Sequence, residues 1–354
     1  MALPGSLAQP TAASTALGAV QRASGAEVSV RPAGHRFRVD ADETLLDAGL
    51  RAGLRLDYGC SDGSCGLCKA RVARGTTSRL RDERDRTLSD VEREQGYVLL
   101  CTRTAASAEL AIVALEAGGA ADLAIQQIAC DVEAVAPVAS DMLRIELAPR
   151  ARRRLRFLAG QRVELCDAAT DARASYPIAS SPCDGAQLVF YVARDPANGF
   201  ASRLFAGATR RGDPVLVRGP AGDFVLGDAR GQVLFVACDL GIAPIRSLLR
   251  QAVAIGAAES LSLYWLVTGS RGHFLADECA ALDAALERFD YALYHAADPR
   301  AGALRVVDAI RVDRFPTQCS VYLAGPAAFV TSAAHGLRAN GLPVSQLRVD
   351  VVVP

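Results

Sequence analysis

Apolar and polar positions alternate from Glu27, as Glu27-Val28-Ser29-Val30 and again as Arg36-Phe37-Arg38-Val39, and a period of two predicts a pair of strands. The next run, Thr44-Leu45-Leu46-Asp47-Ala48, predicts a short helix. Strand, strand, helix and a cysteine-rich loop make a small α+β unit that closes near Leu110-Ala111-Ile112-Val113. Ala114 to Ala121, carrying Gly118-Gly119, is the expected linker. From Leu123 to Gly227 the segments are short, rich in β-formers and separated by turn residues: Ile128 to Val135, Met142 to Leu147, Arg162 to Cys166, Leu188 to Val192 and Pro214 to Val217. Their regular spacing predicts a small antiparallel barrel. After Gly231 the period changes. Val233 to Ala237, Leu261 to Val267, Tyr291 to His295 and Val321 to Ala324 read as strands, with helices at Pro244 to Ala257, Leu275 to Arg288 and Ala327 to Ala339. That alternation predicts a doubly wound parallel sheet. The expected fold class is multidomain, α+β followed by an antiparallel barrel and α/β, with domains at 26–115, 123–228 and 231–354.

Composition narrows the partners. At 354 residues there is room for two or three domains. Half the residues are hydrophobic and the net charge is zero, which supplies buried cores and no overall field to draw nucleic acid or a membrane surface, so neither is expected as a partner. Arginine carries nearly all the positive charge and Lys69 is the only lysine, a coding bias rather than a functional signal. No run reaches the roughly 18 apolar residues of a membrane span, and residues 1–25 read as a disordered leader without the basic and apolar regions of a signal peptide. The charge run Arg79 to Arg86 reads as a solvated face, with docking of an acidic partner as the other reading.

Four cysteines change the picture. Cys60, Cys65 and Cys68 stand as Cys-x4-Cys-x2-Cys, and Cys101 follows 33 residues later, the plant-type [2Fe–2S] spacing. Glycines 59, 63 and 66 let the loop fold back so that backbone N–H groups reach the sulfurs. Cys101 ends the apolar run Gly96 to Leu100, which brings the fourth ligand in on a buried segment. Structural zinc, or unrelated core cysteines, are the alternatives. Cys130, Cys166, Cys183, Cys238, Cys279 and Cys319 are scattered, which suits a reducing, cytoplasmic compartment rather than a disulfide framework.

Residues 27–354 together resemble the iron–sulfur flavoprotein reductases of the ferredoxin-NADP reductase superfamily, such as the reductase components of phenol, toluene and benzoate oxygenases. They are also similar to the reductases that serve deoxysugar dehydratases. The resemblance implies a plant-type ferredoxin domain, an FAD-binding barrel and a nicotinamide-binding domain in one chain.

Arg173-Ala174-Ser175-Tyr176-Pro177-Ile178-Ala179-Ser180 resembles the family's flavin signature, Arg-x-Tyr-Ser/Thr followed by Ile-Ala-Ser. It implies FAD contacts from Arg173, Tyr176, Pro177, Ile178, Ala179 and Ser180, with Tyr176 and Ser180 as catalytic positions. Arg173 stands three residues before Tyr176 rather than two, on the opposite face of a strand, so Arg194 is the alternative phosphate cation. Pro177 occupies the usual hydroxyl position. Asn198-Gly199-Phe200-Ala201-Ser202 resembles the helix start that meets the flavin pyrophosphate, through Gly199 and Ser202. Arg218 to Phe224 matches the turn that closes the barrel.

The nicotinamide loop departs further. Cys238-Asp239-Leu240-Gly241-Ile242-Ala243-Pro244 stands where the family has Gly-Gly-Thr-Gly-Ile-Ala-Pro, and Ala324-Gly325-Pro326 where it has Cys-Gly-Pro. The resemblance places nicotinamide on Cys238, Asp239, Gly241, Pro244, Gly325 and Pro326, with Asp239 either opposing a pyrophosphate or accepting from ribose or carboxamide. Ser270-Arg271 is expected either to meet a 2′-phosphate or to lie in a solvated loop.

A hydride donor gives two electrons and a [2Fe–2S] centre takes one, so a flavin between them explains three modules in one chain. The implied function is electron flow from NAD(P)H through FAD to the cluster and on to a separate acceptor protein, an oxygenase, at a rim of Ser61, Asp62 and Ser64, by a monomer. The alternative, motivated by Pro177 and Cys238-Asp239-Leu240, is a nicotinamide-independent electron-transfer subunit or redox sensor.

Overall fold

The computed structural model describes residues 25–82, 87–114, 116, 119–227, 231–312 and 319–353. The leader, positions 115, 117 and 118 of the linker and positions 83–86 of the charge run lie outside them.

The first sheet holds β1 (Ala26–Arg31), β2 (Arg36–Val39), β3 (Lys69–Arg74), β5 (Tyr97–Leu99) and β7 (Glu109–Val113) in the order β2-β1-β7-β3-β5, and β4 (Thr77–Arg79) pairs with β6 (Arg103–Ala105) beside it. Alternation decides the faces: Val28 and Val30 point inward from β1, Phe37 and Val39 from β2, with Val28 opposite Phe37. Helix α1 (Leu45–Arg51) is opened by Thr44, whose Oγ1 accepts the Asp47 N–H at 3.1 Å, and buries Leu45, Leu46, Ala48 and Leu50 on that sheet. A second short helix, α2 (Asp90–Glu94), carries a Ser89/Glu92 capping box.

The second sheet is antiparallel: β8 (Gln126–Ala139), β9 (Met142–Pro149), β10 (Arg162–Asp167), β11 (Arg173–Pro177), β12 (Leu188–Ala193) and β13 (Pro214–Ala221), in the order β11-β10-β13-β8-β9-β12. Its two ends meet where the Ala179 N–H donates to the Val189 carbonyl at 2.8 Å, nearly closing a barrel. Helix α3 (Gly199–Phe205) covers the end of β11 with Phe200 in the barrel core.

The third sheet is wholly parallel. Strands β14 (Gln232–Cys238), β15 (Ser260–Thr268), β16 (Phe289–Ala296), β17 (Cys319–Gly325) and β18 (Leu347–Val351) run in the order β16-β15-β14-β17-β18, connected by α4 (Ile242–Ile255), α5 (Ala276–Ala285), α6 (Pro299–Val312) and α7 (Ala327–Ala339). The strand order reverses between β14 and β17, the crevice where such sheets bind dinucleotides. Helix α6 adds to the expected elements: Ala303, Val306, Val307 and Ile310 recur at i, i+3, i+4 and i+7 and all are buried. Strand β18 buries Leu347 but exposes Val349 and Val351 on the same face at the sheet edge, so no clean alternation marks it in the sequence.

The units pack on one another through α4. Ser247 Oγ donates to the Ser180 carbonyl at 2.7 Å and Arg246 Nη1 to the Ala179 carbonyl at 2.9 Å, so α4 lies across the chain that follows β11. The turn Phe157 to Gln161 touches the same helix, and its Gly160 has φ +91° with only 2.0 Å between a would-be Cβ and the Phe224 carbonyl oxygen. A cavity of about 130 Å³ remains where the three units meet, lined by Leu54, Tyr58, Phe157, Leu226, Gln251 and Ile255.

Candidate electron-transfer site

The cysteine loop folds as its glycines demand. Gly63 and Gly66 take φ of +73° and +72°, left-handed turns that a side chain would strain. A Cβ on Gly59 would lie 2.8 Å from Leu67 Cδ1 and 3.5 Å from Cys65 Sγ. The Cys60 thiol lies within hydrogen-bond reach of Cys65 and Cys101, and the Cys68 thiol of Cys101, so all four sulfurs converge. Backbone N–H groups point at them: that of Cys65 reaches Cys60 Sγ at 3.4 Å, and those of Asp62 and Leu67 reach Cys60 and Cys65. Hydrogen bonds from the Cys101 and Cys65 thiols and from those amides hold Cys60 well below the ordinary thiol value. Among the described residues no three His, Cys, Asp or Glu side chains surround one point as ligands of a single ion do. An all-thiol set with amides aimed at sulfur fits a group that spans two irons.

Cys60, Cys68 and Cys101 are buried while Cys65 is exposed. The solvent-facing rim is Ser64, Cys65 and Leu67, the last 56 % exposed. This corrects the expected rim. Asp62 is only 6 % exposed and turns inward, where its Oδ1 accepts from the Ser64 N–H at 3.2 Å and the Ser64 hydroxyl at 2.6 Å, bracing the loop; Ser61 is half-buried. The opposite flank meets the barrel. Cys60 forms an isolated antiparallel bridge with Arg153, and the Arg154 N–H donates to the Gly59 carbonyl at 2.8 Å.

Strand β11 sorts the flavin residues by parity. Arg173 and Ser175 face outward, and Tyr176 faces inward opposite Val163. Arg173 donates to both Asp171 oxygens at 2.5 Å and lies 3.8 Å from Glu164, so it is committed to its own hairpin and does not join the other flavin positions. The alternative cation, Arg194, stacks over Phe205 at 4.2 Å. Tyr176 is 3 % exposed, its ring 5.8 Å from Phe200, and its Oη accepts from Asn198 Nδ2 at 2.8 Å. Burial pushes that phenol up, so it stays protonated. Asn198 also caps α3, accepting the Ala201 N–H at 3.0 Å. Tyr176, Asn198 and Gly199 therefore form one polar corner whose hydroxyl, amide and helix-start N–H groups suit the phosphate and ribityl part of a flavin nucleotide. Ser202 lies exposed on the next turn, its hydroxyl on the Asp195 carbonyl at 3.3 Å.

Ser180 is 1 % exposed, its Oγ accepts the Val189 N–H at 3.2 Å, and its carbonyl accepts from Ser247 of α4, so it sits where the barrel's two ends meet. Ile178 and Ala179 are likewise fully buried, and Pro177 offers no N–H. Arg173→Ala is expected to leave the flavin content of purified protein unchanged, whereas Asn198→Ala lowers it, measured as flavin released per cluster.

At the crevice, Cys238, Asp239, Gly241, Gly325 and Pro326 come together, while Pro244 is buried in the first turn of α4. Asp239 holds φ +49°, a left-handed conformation that a glycine takes freely and that aspartate tolerates better than most. Its oxygens are already used: Oδ1 accepts the Thr268 N–H at 2.9 Å, Oδ2 the Thr268 hydroxyl at 2.6 Å, and Arg271 Nη1 lies at 3.1 Å. Arg271 also donates to Asp141 Oδ2 at 2.9 Å, so it is shared between two carboxylates rather than free in a loop. Sequence reasoning missed Asp141, which reaches this network from the β8–β9 turn, and Asn198, whose signal was its place as an N-cap before Gly199. Leu240 packs with Met142, Tyr191 and Val352 between barrel and parallel sheet. Burial pushes the Cys238 thiol up, which keeps it protonated and inert.

Residues 28–106 match the family described as a 2Fe-2S iron-sulfur cluster binding domain. The chain is 30 % identical over 341 residues to the reductase component of propane 2-monooxygenase from Rhodococcus jostii, covering 91 % of this chain and 90 % of that one. It is 26 % identical over 339 residues to the CDP-6-deoxy-L-threo-D-glycero-4-hexulose-3-dehydrase reductase of Yersinia pseudotuberculosis, covering 92 % and 98 %. Among solved structures, a cytochrome P450 reductase from Amycolatopsis aligns with a TM-score of 0.58 at 26 % identity, over 93 % of this chain and 99 % of that chain.

Proposed function

The chain belongs to the iron–sulfur flavoprotein reductases, and from that premise we propose that it takes electrons from NAD(P)H through FAD into a [2Fe–2S] cluster on Cys60, Cys65, Cys68 and Cys101 and delivers them to a separate oxygenase. It is an electron-transfer oxidoreductase, and its relatives serve monooxygenases, dioxygenases and a deoxysugar dehydratase. The observation that carries the reading is the two-sided burial of the four-thiol loop: its Cys60 flank is joined to the barrel and its Cys65 flank is open to solvent.

Bound flavin supplies the conversion from a two-electron donor to a one-electron acceptor. The chain's own residues do the holding. Tyr176, Asn198 and the first turn of α3 would bind the flavin nucleotide, Gly241 and Gly325 keep the crevice backbone close, and the amides of the cysteine loop neutralise charge on the sulfurs. Leu67 and Cys65 present the cluster's open side to the acceptor. No helix among the described residues is long and apolar enough to cross a membrane. We take the protein to act as a monomer in the cytoplasm, since all three modules share one chain and its scattered cysteines suit a reducing compartment.

One observation favours a second reading, a subunit that does not use nicotinamide: the Asp239 carboxylate occupies the loop where a pyrophosphate would bring like charge. Anaerobic addition of NADH or NADPH separates the two. Rapid bleaching of flavin and cluster absorbance is expected; a protein that holds flavin and cluster and does not bleach with either nucleotide sinks the reductase reading and supports the second.

A further inference from the structure

The barrel does more than abut the cluster loop. In Arg153-Arg154-Leu155-Arg156-Phe157, Leu155 and Phe157 enter the barrel core while Arg154 and Arg156 face the first unit. Arg156 Nη2 donates to the Arg55 carbonyl at 3.2 Å and the guanidinium pairs with Asp57. Arg154 is 4 % exposed: Nη1 donates to Asp47 Oδ1 at 2.9 Å, Nη2 lies 3.2 Å from the Gly185 carbonyl, and the guanidinium sits over the Tyr58 ring at 5.2 Å. Its backbone N–H holds Gly59, the residue before the first cluster ligand.

We propose that Arg154 is a positioning residue for the cluster, fastening the barrel to its Cys60 flank and raising its reduction potential. Two features separate this from an ordinary ion pair between domains. First, the charge is incompletely matched. Asp47 serves two cations, accepting from Arg81 at 3.0 Å as well as from Arg154, so the group of three carries a net positive charge beside the loop. Second, the buried Nε has no hydrogen-bond partner among the described residues, a cost that a position selected only for stability would shed. Reduction adds a negative charge to the cluster, and a buried cation in a region of low dielectric stabilises the reduced form. Burial by itself would raise the Asp47 carboxyl, but the Arg154 guanidinium, the Thr44 hydroxyl and Arg81 hold it below its ordinary value. The contact is therefore intact at neutral pH and loosens only as the pH falls through that lowered value.

The inference rests on the proposed electron path, yet its test needs neither flavin nor nicotinamide. The full-length protein is titrated with dithionite and mediators, following the cluster by electron paramagnetic resonance. Arg154→Gln is expected to lower the midpoint potential, Arg154→Lys to restore most of it, and Asp47→Asn to raise it. A wild-type potential in Arg154→Gln with an intact cluster signal overturns the proposal. If Arg154→Gln fails to hold a cluster, Asp47→Asn decides: an unchanged or lowered potential overturns the proposal just as firmly.

Discussion

Cys101→Ala is expected to remove the cluster and, with it, all electron delivery to the acceptor, while reduction of an artificial dye from NAD(P)H persists. Cys101 is fully buried just past the end of β5 and its thiol touches both Cys60 and Cys68, so its loss leaves three thiolates that cannot complete a four-ligand binuclear centre. The cluster also closes the stretch of chain from Cys68 to Cys101, which carries β3 to β5, so ligand binding is part of the folding free energy of this unit. Absorbance and low-temperature paramagnetic resonance should lose the cluster signal entirely. Thermal unfolding of the first unit should move to lower temperature while the flavin-containing remainder unfolds as before. Retention of acceptor reduction in the variant would break the assignment of Cys101 as a ligand.

The second large effect is expected from Gly241→Ala. A Cβ there would stand 2.1 Å from the Ala324 carbonyl oxygen and 2.7 Å from the Gly325 N, both backbone atoms at the end of the neighbouring strand β17. No rotamer relieves such a contact, so β14 and β17 must separate at the crevice, at a cost of about 3 kcal/mol or more. NAD(P)H-dependent bleaching should be lost while dithionite still reduces the cluster, because the cysteine loop lies in another unit. Gly256→Ala is the control: its φ of +58° carries strain but nothing lies within 4 Å of its Cβ, so about 1 to 2 kcal/mol is expected with nicotinamide use retained. Equal losses in the two variants would show that close packing at Gly241 is not what matters.

Pattern reading succeeded where the signal is local. Alternation at Val28 and Val30 and the helical spacing at Ala327–Ala339 follow from backbone period, and the short continuous apolar runs Val233 to Ala237 and Leu261 to Val267 mark strands buried on both faces. Arg173 shows the limit of motif matching. It carries the right residue type near the right tyrosine, but one extra position in a strand turns it to the other face, where Asp171 and Glu164 hold it. Ser180 matches its motif letter for letter and still lies beneath α4, since burial depends on a helix that begins some sixty positions later.

The four cysteines assigned to the cluster, the three modules and the departures in the nicotinamide loop were legible in the sequence alone, because each rests on residue type at short spacing: three thiols in one glycine-rich loop, or a strand followed by its turn. The tertiary structure alone decided which flank of the cluster is open, that Asp62 faces inward, that Asp239 is bound by Thr268 and Arg271, and that Arg154 reaches Asp47 across 107 positions of chain. Such contacts join residues from separate units, and no local period records which surfaces will pack together. It is the matching of buried charge and shape between those surfaces that selects them.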